Sequence, residues 1–167
     1  DHKQSLVMPM GVLYLSSVLE KEVPNIEIKI LDASKKSVEY SKKKDRKHTT
    51  LKEITRIWLD QETGDDWKPN CVAISVLFST AHQTSIDISE VVKEKFPQVP
   101  IVVGGMHATN AVGPLLEKPC IDYVCRGEAE SIITNFFKAI VSNKDPEKII
   151  GIYGRNKLLS EKKEKIE

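Results

Sequence analysis

The sequence predicts an α/β fold, a doubly wound parallel sheet with helices on both faces. Three observations predict it. Strand-like apolar runs alternate with stretches of helical periodicity along most of the chain. The central runs, Cys71–Phe78, Ile101–Val103 and Ile121–Cys125, are continuous rather than alternating, which suits parallel strands covered on both faces. Each of the three ends in small or polar residues, at the place where such folds turn and bind ligands.

The elements follow in order. Val12, Leu15, Val18, Leu19 and Val23 have helical spacing; Pro9 suits the start of that helix and Pro24-Asn25 its end. Ile26, Ile28 and Ile30 alternate with Glu27 and Lys29, the pattern of an edge strand with one wet face. The stretch 34–50 carries Lys35, Lys36, Lys42, Lys43, Lys44, Arg46 and Lys47 with little to bury, so a solvated, mobile basic loop is expected there. Leu51, Ile54, Ile57 and Trp58 form a helical stripe that stops at Gly64. After the first central run, Ile88, Val91, Val92 and Phe96 mark a helix, and after the second, Val112, Leu115 and Leu116 mark a shorter one. Ile132, Ile133, Phe136, Phe137 and Ile140 follow the third. Ile149–Tyr153 reads as a last strand, turned by Gly154-Arg155-Asn156 into a short hairpin with Lys157–Leu159. The domain is expected to span 1–160, with 161–167 as a charged tail. Such a fold normally opens with a strand, and Ser5-Leu6-Val7 is too short for one, so a central first strand is expected to be missing from this chain.

With 167 residues, 40% of them hydrophobic and 29% charged, the chain has the size and composition of one globular domain. A net charge of +1 offers no whole-molecule attraction to nucleic acid or to acidic membranes. No apolar run is long enough for a membrane span, and the polar opening Asp1-His2-Lys3-Gln4 is no signal peptide, so a cytoplasmic location is expected. Cys71, Cys120 and Cys125 are an odd set without metal-ligand spacing, and buried free thiols are expected.

Ligands of open parallel sheets bind beyond the carboxyl ends of the strands. Those ends carry Ser75, Leu77, Ser79 and Thr80; then Gly104, Gly105, Met106, His107, Ala108 and Thr109; then Arg126, Gly127 and Glu128. Glycines without a Cβ let a backbone approach a flat ligand. The Ser75 hydroxyl either donates to a ligand or only satisfies a neighbouring backbone group. Glu128 and Glu130 precede a helix, where carboxylates are favoured by its dipole, a simpler reason for them than an acid pair. His2 and His48 fall in polar segments and carry no case.

Ser75-x-Leu77 followed by Gly104-Gly105 resembles the later parts of the cobalamin (vitamin B12)-binding signature, Asp-x-His-x-x-Gly, Ser-x-Leu, Gly-Gly. Pro9-Met-Gly-Val-Leu-Tyr-Leu15, Gly104-Gly-Met-His-Ala-Thr109 and Asp122-Tyr-Val-Cys-Arg-Gly-Glu-Ala-Glu130 resemble segments of the N-terminal cobalamin-binding domain of B12-dependent radical-SAM enzymes. The resemblance covers nearly the whole chain except the basic stretch. It implies a flavodoxin-like (Rossmann-like) sheet of order 2-1-3-4-5 and a slot for the cofactor's nucleotide tail. Ser75 would meet the tail base and Leu77 its apolar face. Thr80 and Thr109 would meet its phosphate, and His107 tail or ring amides rather than cobalt. When Gly11 is aligned with the first Gly of the signature, Met8 falls at the His position and Leu6 at the Asp position. The imidazole lower ligand is therefore absent, and cobalamin is expected base-off, without a His from this loop; Met8 reads as packing rather than as a ligand.

The chain has no Cys-x3-Cys-x2-Cys loop. By the same resemblance, the [4Fe-4S] cluster and S-adenosylmethionine belong to a radical-SAM domain downstream, and this chain alone is not expected to be catalytic. The parent's reaction would be methyl transfer or ring-forming radical chemistry. The alternative is a flavodoxin-like interaction or signalling module that no longer binds a cofactor.

Overall fold

The computed structural model describes residues 9–41, 50–64 and 67–164. In chain order these form helices α1 (Met10–Glu22), α2 (Ala33–Ser41) and α3 (Leu51–Thr63), strand β1 (Val72–Ser75), helix α4 (His82–Lys95), strand β2 (Ile101–Gly104), short helices α5 (Met106–Asn110) and α6 (Val112–Leu116), strand β3 (Tyr123–Cys125), helix α7 (Ile133–Val141), strand β4 (Ile152–Tyr153) and helix α8 (Arg155–Glu164). Single 3-10 turns, Ser79–Ala81 and Ala129–Ser131, lead into α4 and α7.

The sheet has the order β1-β2-β3-β4. β1 and β3 both run parallel to β2, and β4 runs antiparallel to β3. The result is an α/β domain with a mixed, open sheet and the layering of a flavodoxin-like fold. The two-residue period of the strands sorts their side chains between two cores. Ile101, Val103 and Val124 point into one, with Ile86, Val91 and Val92 of α4, Leu59 of α3 and Leu115 of α6. Val102, Cys125 and Ile152 point into the other, with Leu19 of α1 and Ile133 and Phe136 of α7.

Local chemistry explains the helix boundaries. Thr50 and Glu53 make a reciprocal capping box at the start of α3: the Thr50 hydroxyl accepts from Glu53 N at 3.3 Å, and Glu53 Oε2 accepts from Thr50 N at 2.7 Å. That backbone hydrogen bond holds the Glu53 carboxyl below its ordinary pKa. Lys52–Glu90, Arg56–Glu94 and Lys95–Asp60 tie α3 to α4 at 2.6–2.8 Å. At the starts of β2 and β3, Asp122 Oδ2 accepts from Ile101 N at 2.8 Å and pairs with Lys93 at 2.7 Å.

The structure differs from the sequence expectations in five places. Ile26–Ile30 is not a strand: no neighbour among the described residues offers it a ladder, although Ile26 and Ile28 still pack into the second core. Within the stretch 34–50 expected as a loop, 34–41 belong to α2, where Asp32 Oδ1 accepts from Lys35 N at 2.9 Å; 42–49 lie outside the described residues. β1 covers only four residues of the run from Cys71, with Ala73 and Ser75 exposed, and among the described residues it pairs on one side only. The last strand is antiparallel and two residues long. Lys157–Leu159 is helix, not hairpin: Lys157 Nζ donates to the carbonyls of Glu147, Ile149 and Ile152, and Arg155 donates to those of Leu116, Lys118 and Ile121, which seats α8. The helix also takes in the first four residues of the expected tail. Among the described residues no strand precedes α1, and no helix is long and apolar enough to cross a membrane.

The three thiols are free, with Cys120 and Cys125 buried. Phe136 is fully buried and stacks edge-on against Tyr123 and Phe137. Phe136→Ala is expected to lower the unfolding free energy by ~3–5 kcal/mol in urea titrations. A pH effect follows from Cys125, whose thiol is pushed by burial from 9.0 up to about 11. Below pH 9 both folded and unfolded chains keep this proton. Between those two values only the unfolded chain releases it, so stability falls as pH rises through that window. Urea midpoints at pH 8 and pH 10 should show the fall, and Cys125→Ala should lessen it.

Candidate cofactor site

The site is built where β1 and β2 end. Ser75 and Gly104 are register partners, side by side at the carboxyl ends of two parallel strands. Beyond them the two chains cross closely. Val76 N donates to Gly104 O at 2.8 Å, and His107 N donates to Val76 O at 3.1 Å. Gly105 lies between, at φ +99°, and a Cβ there would stand 2.6 Å from Val76 O. Glycine at 105 is thus demanded by the protein's own backbone, both by its positive φ and by the lack of space. Gly104 is different: a Cβ there would meet Cys125 Cβ at 3.6 Å, an ordinary contact. The expectation that both glycines clear space for a ligand is replaced, at Gly105, by an internal cause.

Ser75 is exposed, and its hydroxyl makes no hydrogen bond to the described residues. That is the donor a ligand would use. Leu77 follows at 60% exposure, and two residues without an expected role join it: Phe78 at 71% and Met106 at 67%. Ser79 and Thr80 are exposed in the turn before α4. Ala108 is buried in the first core and packs the loop down. Thr109 is already engaged: its hydroxyl donates to Gly105 O at 3.2 Å and accepts from Gly127 N at 3.0 Å. It braces the loop after β2 against the loop after β3. Arg126, Gly127 and Glu128 are exposed on the same rim, with Gly127 at φ +91° and Arg126 N donating to Gly151 O at 2.8 Å. Glu128 and Glu130 sit at the Ala129–Ser131 turn, one turn ahead of α7 rather than in its first turn.

Gly11 is exposed near the start of α1, which packs against α7 and the Ala129–Ser131 turn. Met8 lies outside the described residues, as do His2 and His48. His107 does not stand alone. Its Nε2 lies 2.8 Å from Nδ1 of His82, the first residue of α4. His82 has no motif around it; its only signal in the sequence is a polar ring at the start of a helix that follows a rim loop.

Among the described residues no group of three His, Cys, Asp or Glu side chains is placed to hold a metal ion. A cleft of about 510 Å3 lies at the other end of the sheet, lined by Asn70, Lys93, Pro100 and Asp122, where the strands begin. It is not part of the rim.

Fold and rim together define a flavodoxin-like α/β domain whose candidate site is the carboxyl edge of its parallel strands. Within that class, residues 61–137 match the model of the family described as B12 binding domain. The match runs from late α3 into α7, so it includes β1, β2, β3 and every rim loop above except α1. The chain is also similar to the anaerobic magnesium-protoporphyrin IX monomethyl ester cyclase of Synechocystis sp., with 31% identity over 75 residues. Those residues are 44% of this chain and 15% of that relative, so the chain corresponds to a small part of it. No solved structure matches the chain significantly.

The geometry separates the two rim glycines. Gly105→Ala should destabilise the fold by roughly 1–3 kcal/mol, since it places a side chain at positive φ against a carbonyl. Gly104→Ala should leave the thermal midpoint nearly unchanged. Parallel thermal melts check both.

Proposed function

We propose that this chain binds cobalamin on the rim formed by the ends of β1, β2 and β3, in the base-off form. In this reading the domain holds cobalamin for a radical-SAM catalytic domain of a longer parent chain. The observation that carries the reading is the pairing of Ser75 with Gly104, with the Ser75 hydroxyl free at the strand end. The exposed Leu77, Phe78 and Met106 add apolar surface beside it, suited to a large flat ligand with an aromatic tail.

The roles follow from what each residue has to spare. Ser75 would donate to a ring nitrogen of the tail base. Leu77 would pack against it. Ser79, Thr80 and Arg126 have exposed side chains for the tail phosphate and amides. Thr109 would act on the ligand only indirectly, since its hydroxyl already ties two rim loops together. No His stands at the position before α1 where the signature places the lower ligand, which supports a cobalt without a His from this loop; Met8 takes that position, and the base-off form rests instead on seating the tail base at Ser75. Bound cobalamin would supply a cobalt centre for methyl transfer or ring-forming radical chemistry in the parent, whose [4Fe-4S] cluster and S-adenosylmethionine would lie in that other domain. The protein's share is binding and orientation.

A second reading is a protein-interaction module without cofactor. The same exposed Leu77, Phe78 and Met106 would suit a partner surface.

The chain should be mixed with hydroxocobalamin and desalted. A retained corrin spectrum of the base-off type is expected. Ser75→Ala should weaken binding roughly fivefold, the worth of one hydrogen bond. Loss of all corrin on desalting would favour the second reading.

A further inference from the structure

His82 and His107 stand 25 residues apart in the chain and meet across the rim. Their rings are nearly perpendicular, at 84°, with centroids 5.0 Å apart, and both are half-buried. Two imidazole nitrogens 2.8 Å apart share a proton: one ring donates and the other accepts. In the neutral pair this couples the tautomers. The outer nitrogens, Nε2 of His82 and Nδ1 of His107, must then be one donor and one acceptor.

His107 is thereby held twice, through its backbone N–H to Val76 O at 3.1 Å and through its ring to His82. Nδ1 is the one ring atom left to it for a ligand. His82 is fixed in turn as the first residue of α4, directly after the Ser79–Ala81 turn, so the pair locks the loop after β1 to the loop after β2.

We infer that His82 is a positioning residue for the cofactor: it fixes the rotamer of His107 and couples the tautomer of His107 to its own, and so sets how His107 Nδ1 meets the polar groups of a bound corrinoid. This rests on the cobalamin reading above. It adds a residue outside every motif that led to that reading.

The pair can be tested without any cofactor. In the chain labelled with 15N-histidine, NMR should show a scalar coupling across the hydrogen bond between His82 Nδ1 and His107 Nε2; its absence from a folded sample overturns the inference. Hydroxocobalamin titration then tests the role. His82→Ala is expected to weaken binding roughly tenfold. His82→Asn, which puts an amide atom where Nδ1 stands, should restore most of it, and His82→Gln, whose amide lies farther out, should not. In a His107→Ala background His82→Ala should have no further effect. Additive losses, or a His82→Ala variant that binds like the parent chain, overturn the inference and leave the cobalamin reading standing. If the unsubstituted chain retains no cobalamin, both fall.

Discussion

The rim depends on one backbone crossing. Where β1 gives way to its loop, the Val76 peptide bonds to Gly104 on one side and to His107 on the other, with Gly105 pressed between. The 2.6 Å that a Cβ at Gly105 would have from Val76 O leaves no room for a larger residue. The crossing sets the spacing between two adjacent strand ends and turns the chain sharply into α5. Ser75, Leu77, the His82–His107 contact and the Thr109 brace all hang from it. A strand-end site is usually described by the side chains it offers; here the positions of those side chains follow from three peptide groups that no other residue type at 105 would allow.

Much of this was legible beforehand. The three apolar runs marked the three parallel strands, and the small residues after them marked the rim. Ser75 and Gly104 were singled out together, and register makes them neighbours. The helical stripes at Leu51–Trp58, Ile88–Phe96 and Ile132–Ile140 fall within α3, α4 and α7 up to their end residues. These succeeded because burial dictates periodicity, and periodicity is written in composition.

What was not legible depended on neighbours. Ile26–Ile30 has a strand's alternation, yet a strand needs a partner to bond, and among the described residues Ile26 and Ile28 pack without one. Lys157–Leu159 looked like the return of a hairpin because Gly154 precedes it; the helix is held by carbonyls spread from Leu116 to Ile152, contacts that no local pattern encodes. The reason for Gly105 was also misplaced. A Gly-Gly pair announces close approach but does not say of what, and here the approaching group is Val76 O. His82 escaped notice because its partner is remote in sequence. The engaged hydroxyl of Thr109 escaped for the same reason: its second partner, Gly127, lies 18 residues away.

The reversed direction of β4 gives the domain a handed approach. On that flank the chain doubles back over the sheet end, and the Gly151 carbonyl closes on Arg126 N–H. On the opposite flank β1 keeps one backbone edge unpaired among the described residues, with Ala73 and Ser75 exposed on one face of the strand. Among the described residues the margin therefore has a blunt end and an open end. Ser75 ends that strand with an exposed hydroxyl, so under the cobalamin reading the donor assigned to the tail base stands on the flank that β4 does not close.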